Sequence, residues 1–346
     1  MEPSLTIPQS VRSKANWCIV VADDYGPDTP GRKGSAIDRA PVHYRHLDTS
    51  GTLLQRALHR ALSIAPATQV LLTADEECRE LWESSSRPVR PAKRFIGANR
   101  HGAVLTSAAA VLHVAQRSPS AVVIILPARC YVTHEAILRR ALLQALVELP
   151  RIPEGVVTLG MLDMENSCGE DYLIVEPPAK GEASLVKGVA RRPVSLAAPP
   201  LRRQGALVAS GILIGYAGAL TGPLAKHWRG MPRKLRELLV QPAEECEVPL
   251  ELAQELPCGL FRSHPWHPAA IPQRVIPVCC SGWSSLKSPQ SIEKVLAFIS
   301  AMVAVQGSNA KERGATAVAL VPRGWPQAAE ANVPRRKARE LDPYEV

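Results

Sequence analysis

The chain has 346 residues, 46% of them hydrophobic and 4% aromatic, with a formal net charge of +9. That length suits one large α/β domain or two ordinary ones, with a core built from Ala, Val, Leu and Ile. No run reaches the roughly 18 uninterrupted apolar residues of a membrane span, and MEPSLTIPQSVRSK at the start lacks a secretion signal's apolar segment, so no membrane is expected and the expected location is cytoplasmic.

In chain order, residues 1–14 read as a flexible amino terminus. WCIVVA (17–22), QVLLTA (69–74), AVVIILPA (121–128) and VVTLGM (156–161) read as strands buried on both faces. Between them TLLQRALHRALSIA, AVLTSAAAVLHVAQ and HEAILRRALLQALVEL place apolar residues three and four apart, the helix period. Asp75 and Thr133 are suitable N-caps for the helices that follow them. Continuous apolar strands alternating with amphipathic helices predict an α/β fold, a doubly wound, mainly parallel sheet covered on both faces. Its ligand site belongs along the carboxyl ends of the strands.

Beyond residue 162 the texture changes. YLIVEP, ALVASGILIGYA and VIPVCC read as strands without regular crossover helices, an added mixed-strand portion that would close over the site. Residues 223–260 read as helix and loop, and SIEKVLAFISAMVAVQ as a last helix. The α/β domain is therefore placed at 15–306, and 307–346 is expected to be a basic, disordered tail. The surplus charge gathers there and at paired arginines near 139, 191 and 202. It lacks the aromatic interleaving of single-strand binders, so solubility or anionic metabolites, not nucleic acid, are its expected purpose. Eight cysteines stand at 18, 78, 130, 168, 246, 258, 279 and 280, none in a C-x-x-C pair. They read as reduced thiols, with a vicinal disulfide at Cys279 and Cys280 as the alternative. His264 and His267, in HPWHP, have no second ligand pair at zinc spacing.

The chemistry concentrates at two strand ends. After the first strand, IVVADDYGPDTPGRKGS nearly spells a phosphate loop, but Arg32 occupies the lysine position and Lys33 the hydroxyl position. After the third, PARC puts Arg129 and Cys130 where nucleotide enzymes of this architecture usually carry an acid.

WCIVVADDYGPDTPGRK, APVHYRHLDTSGTLLQRAL, ANRHGAVLTSAAAVLHVAQ, SAVVIILPARCYV, GEDYLIVEP, VKGVARRP, GALVASGILIGY and GWSSLKSPQ follow one another in a familiar order. Over roughly residues 15–300 the series resembles the sugar-1-phosphate nucleotidyltransferases of the mannose-1-phosphate guanylyltransferase type, a nucleotide-diphospho-sugar transferase-like fold. Those proteins carry L-A-G-G-x-G-x-R, P-K-Q-F, N-R-G-T-A-P, P-x-D-H, E-Y-G-W-I, F-x-E-K-P, G-x-x-W-N-S/T and W-S-D-x-G-T-P. The resemblance implies transfer of a nucleotidyl group from a nucleoside triphosphate to a sugar 1-phosphate, with Mg²⁺ held by two acids.

Role by role, the resemblance assigns Ala22, Asp23, Gly26, Asn99, Arg100 and Pro127 to the nucleotide. It assigns Arg32, Arg129 and Arg192 to catalysis, and Arg191, Ser210, Gly211 and Ser285 to the sugar. Many of these depart from the family pattern. Asp23 and Asp24 replace glycines, Val42 replaces the P-K-Q-F lysine, and Ala209 the W-N-S asparagine. Arg129 and Ser285 stand at the two metal carboxylates, and a guanidinium cannot coordinate Mg²⁺. The expectation is a degenerate relative with activity weak or lost and no metal ligands of its own. It would still bind a nucleotide or sugar phosphate, or associate as a homo- or hetero-oligomer with an active relative. Two further readings stay open. One is an active enzyme using Arg32, Lys33, Arg100, Arg129 and Arg192 as a charge clamp; the other is an interaction module with a basic tail.

Overall fold

The computed structural model describes residues 16–23, 40–97, 103–162, 170–176, 183–193, 197–240, 243–249, 251–255, 265–286 and 289–312. They divide into two units, residues 1–299 and 300–346. The second holds, among the described residues, the last turns of a carboxy-terminal helix. Apart from those last turns, everything that follows belongs to the first unit.

β1 (Asn16–Val21) is central, hydrogen-bonded in parallel to β4 (Val70–Asp75) on one side and β6 (Val122–Pro127) on the other. β5 (Lys93–Gly97) and β11 (Glu245–Val248) continue the parallel run outward from β4. Beyond β6 lies β10 (Leu207–Tyr216), antiparallel to both its neighbours, then the parallel pair β7 (Val156–Met161) and β12 (Gln273–Val278). β9 (Ser184–Ala190) and β8 (Tyr172–Val175) end the order, and β8 pairs back onto β10. The last five strands thus close a ring. A short hairpin, β2 (His46–Asp48) with β3 (Gly51–Thr52), stands apart from the sheet.

Strand periodicity divides the core between the two faces. Cys18, Val20 and Ala22 pack under α1 (Leu53–Leu62) and α4 (Glu135–Glu148). Ile19 and Val21 pack under α3 (Ala103–Arg117), with α6 (Ala217–His227) and α7 (Met231–Leu238) in the same cluster. The short helices α2 (Arg79–Ser86), α5 (Ala198–Arg203) and α8 (Glu251–Gln254) and the long α9 (Pro289–Glu312) complete the set. α1 starts with a capping box in which Gln55 N donates to Thr52 Oγ1 and Thr52 N to Gln55 Oε1. Its buried Arg60 forks onto both oxygens of Glu135 at 2.6 and 2.9 Å, tying α1 to α4.

The expected doubly wound, mainly parallel sheet with a mixed-strand addition is what forms. Three of its strands were not foreseen: β5, β9 and β11. Asp75 does cap, accepting from Glu77 N at 2.9 Å, at the head of a 3-10 turn before α2. Thr133 does not. α4 begins one residue later, with His134 at its N-cap, and Thr133 Oγ1 donates to Gly282 O instead. α9 runs to Glu312, past the expected end at 306, and residues 313–346 lie outside the described set.

Two positions in this frame give direct tests. Gly160, mid-strand in β7, has room for no more than a hydrogen: a Cβ there would lie 2.7 Å from both Leu207 Cδ1 and Val275 Cγ2. Gly160→Ala should therefore lower stability by about 1–3 kcal/mol in urea unfolding. His113 is buried in α3, edge-on to Trp17 and Phe95. Burial first, then the charges of Arg117 and Lys93, pushes its pKa down to about 3. The unfolded chain takes up a proton near the ordinary 6.5 and the folded one does not. Stability should therefore fall as pH drops from 6.5 towards 3, by about 1.4 kcal/mol per unit. His113→Gln should flatten that dependence in urea titrations between pH 4 and 7.

Candidate functional site

The carboxyl ends of β1 and β6 meet in the middle of the sheet, where Val21 pairs with Pro127 and Ala128 N donates to Val21 O at 2.8 Å. β1 ends in Ala22 and Asp23. Ala22 N donates to Thr73 O, and its own carbonyl accepts from the Tyr44 hydroxyl at 3.0 Å. Asp23, expected beside a triphosphate path, has its carboxylate turned into the protein instead. It is 1% exposed and accepts from Thr73 Oγ1 and Thr106 Oγ1, both at 2.6 Å. Two short charge-assisted bonds make it a brace between β4 and the first turn of α3. Gly26, Arg32 and Lys33, with Asn99 and Arg100, lie outside the described residues.

β6 passes through Pro127 into a turn that carries Arg129 and Cys130, both buried. Tyr131 and Ser284 then form an antiparallel bridge, each N–H donating to the other's carbonyl at 2.9 Å. That bridge draws the turn alongside Ser285 and Leu286. Thr133 N and His134 N add two bonds to Ser281 O, fastening the same segment to the start of α4. The bridge thus sets the backbone of the turn that carries Arg129 beside the segment that carries Ser285.

Ser285 donates its hydroxyl to Glu170, which is 4% exposed and 115 residues away in sequence. Sequence reasoning missed this residue. The neighbouring Asp171 binds two further segments: Oδ1 accepts from Arg192 N at 3.1 Å, and its carbonyl accepts from Ala209 N at 2.8 Å. Arg192 is held at φ 38° and Leu286 at φ 51°, left-handed conformations that cost a side-chain-bearing residue about 1–3 kcal/mol. Glu170 and Asp171 therefore gather the turn after β9, the bend of β10 and the segment after β12 around one point. A buried carboxylate, Glu170, thus lies in contact with Ser285, one of the two positions where the resemblance implies a metal acid.

β10 bends there. Its register against β7 shifts between Ala209 and Leu213, and Gly211 sits at φ 77°, where an added Cβ would press on Pro127 Cγ. Ser210 spans the bend, its hydroxyl donating to Leu159 O at 2.6 Å and accepting from Ile212 N at 3.0 Å. Both bonds are internal, so Ser210 acts in shaping the strand. Cys130 Sγ lies 4.0 Å from Ser210 O. On the ring side of the bend is a cavity of about 30 Å³, with Thr158, Asp171, Ala209, Gly211, His267 and Gln273 in its lining. It has room for two waters or so. Burial lowers the His267 pKa, Arg191 lowers it further and Asp171 opposes, which places the exposed Arg191 within electrostatic reach of that cavity.

Val42, at the position where the resemblance implies a lysine, joins an apolar cluster with Leu53, Tyr131 and Leu286, on which Ile292, Val295 and Ile299 of α9 pack. Arg129 is no metal ligand, and Ser285 with Glu170 offers fewer oxygen donors than a Mg²⁺ shell takes from a protein and its substrate. Among the described residues no group of three His, Cys, Asp or Glu side chains is placed to hold a metal.

No family model matches the chain, and no curated protein does. Solved structures match its fold. A mannose-1-phosphate geranyltransferase from Thermus thermophilus superposes with a TM-score of 0.62 at 21% identity, over 81% of this chain and 79% of that one. A mannose-6-phosphate isomerase from Helicobacter pylori does so with a TM-score of 0.60 at 14% identity, over 78% of this chain and 99% of that one. The architecture is the nucleotide-diphospho-sugar transferase fold.

If Glu170 anchors Ser285, Glu170→Ala should cost about 1–3 kcal/mol in urea unfolding, because a buried hydroxyl loses its acceptor. Glu170→Gln keeps an acceptor and should cost distinctly less.

Proposed function

We propose that this chain is a degenerate sugar-1-phosphate nucleotidyltransferase of the mannose-1-phosphate guanylyltransferase type. It binds a nucleotide or sugar phosphate at the carboxyl ends of β1 and β6, and its transfer activity is weak or lost. One observation supports the reading above the others. A buried guanidinium, Arg129, occupies the strand end where the resemblance puts a metal carboxylate, and the second such position is a serine committed to Glu170. Arg129 is always charged and offers a planar fork to phosphate oxygens. It can neutralise an anion, but it cannot organise the octahedral shell of a divalent cation.

The fold supports the general class, and the mannose-1-phosphate named for the Thermus protein supports the choice of sugar phosphate as first ligand to try. Phosphoryl-type transfer depends on positioning and charge neutralisation, with little covalent work for the protein. A site that keeps the pocket frame and loses its metal acids would retain affinity before rate. The chain then acts as a ligand-binding or regulatory partner of an active relative, as a homo- or hetero-oligomer.

Thermal unfolding with GTP, GDP-mannose or mannose 1-phosphate, in Mg²⁺ and in chelator, tests this. A ligand at a hundred times its Kd should add about 2.7 kcal/mol of stability, equally with and without chelator. Arg129→Met should abolish the gain, with Arg129→Lys retaining part of it. Stabilisation that vanishes on chelation would overturn the metal-free reading.

A further inference from the structure

We propose that Cys279 and Cys280 form a reversible redox site, a vicinal disulfide made by peroxide-class oxidants, whose closure moves the segment carrying Trp283–Ser285. This goes beyond the ligand reading above and does not depend on it. Among the described cysteines these two alone are exposed; Cys18, Cys130 and Cys246 are buried and Cys78 is partly so.

Their place in the chain makes the pair more than an accident of composition. β12 ends at Val278, whose carbonyl is fixed by Leu162 N at 2.9 Å. Ser281, 3% exposed, is fixed by the two bonds from Thr133 N and His134 N. The cysteines are the only residues between these anchors. Cys280 is held at φ 58°, a left-handed conformation for a residue with a side chain. Gly282 follows at φ 61°, where a Cβ would collide with Thr133 Oγ1. The turn is tight and has no slack on its carboxyl side.

The chemistry balances with one equivalent of a hydroperoxide. One thiolate attacks the peroxide oxygen, giving a sulfenic acid and releasing water or an alcohol. The neighbouring thiol then displaces the hydroxyl as a second water, and the S–S bond forms. Two thiols are oxidised by two electrons and the O–O bond is reduced. Adjacent Cα atoms lie about 3.8 Å apart across a trans peptide, below the usual Cα separation across a disulfide of about 4.4–6.8 Å. The closed ring is therefore strained, and strained, exposed disulfides are the readily reduced ones. Closure requires the backbone of Cys279 and Cys280 to rotate. With Val278 locked in the sheet, the displacement passes to Ser281–Ser285, the segment that ends at the Glu170 contact.

The test uses the full chain treated with stoichiometric hydrogen peroxide and then an alkylating agent. Peptide mass mapping should show the 279–280 peptide lighter by two hydrogens and unalkylated, with dithiothreitol restoring two alkylation sites. Cys279→Ser and Cys280→Ser should each abolish the product. Tryptophan fluorescence should change on oxidation, revert on reduction, and remain constant in Trp283→Phe and in Cys280→Ser. A sulfinic acid on either residue, or a bond from either to another cysteine, overturns the site. A vicinal disulfide that leaves Trp283 emission unchanged overturns the coupling. None of these readings requires a ligand, so they stand apart from the test of nucleotide or sugar-phosphate binding.

Discussion

The arrangement at the strand ends depends on two consecutive acids, Glu170 and Asp171. Three pieces of chain far apart in sequence, at 192, 209 and 285, converge on these two residues through one side-chain donor and two backbone donors. Ordering each segment costs about 1–2 kcal/mol per residue in backbone entropy alone, and two of them contain a non-glycine residue at positive φ. Hydrogen bonds to carboxylates, worth about 1.5–3 kcal/mol each, are strong enough to hold such conformations. Bonds between neutral groups would do so less well.

That constraint changes what the replaced positions mean. Asp23, Val42, Ser210 and Ser285 each stand at a position that the resemblance gives to ligand chemistry, and each has taken an internal duty: bracing α3, packing under α9, spanning a strand bend, bonding Glu170. Arg129 sits in a buried setting, where desolvation of a cation is expensive unless nearby polar groups compensate. A frame so thoroughly tied together holds these side chains in fixed places.

β1, β4, β6 and β7 were legible because both faces of each are covered, which writes them as continuous apolar runs. β5 was not, since KRFIG opens with two cations; Lys93 and Arg94 hide a strand whose later residues, Phe95 and Ile96, are buried. β9 alternates towards one side only, and ECEV in β11 is half acid. At the site, the role of Glu170 was not legible. Its partner lies 115 residues away, and no local periodicity announces such a contact. The available signal was the acidic pair ahead of Tyr172, in a segment set against E-Y-G-W-I with no role given to its acids. The direction of the Asp23 carboxylate was equally hidden, because two hydroxyls from different elements decide it.

The closed ring of β7, β12, β9, β8 and β10 has a consequence for the behaviour of the molecule in concentrated solution. Where a sheet stops, unpaired N–H and C=O groups invite a stranger's backbone, and here one end stops nowhere, since β8 returns to β10. Among the described residues the other end is β11, four residues long, with Glu245 bridged to Arg79 and Arg94 and Glu247 exposed. One flank is shielded by topology, the other by brevity and charge. A ten-stranded sheet is thereby denied the edge-to-edge stacking that would turn it into the seed of a fibre.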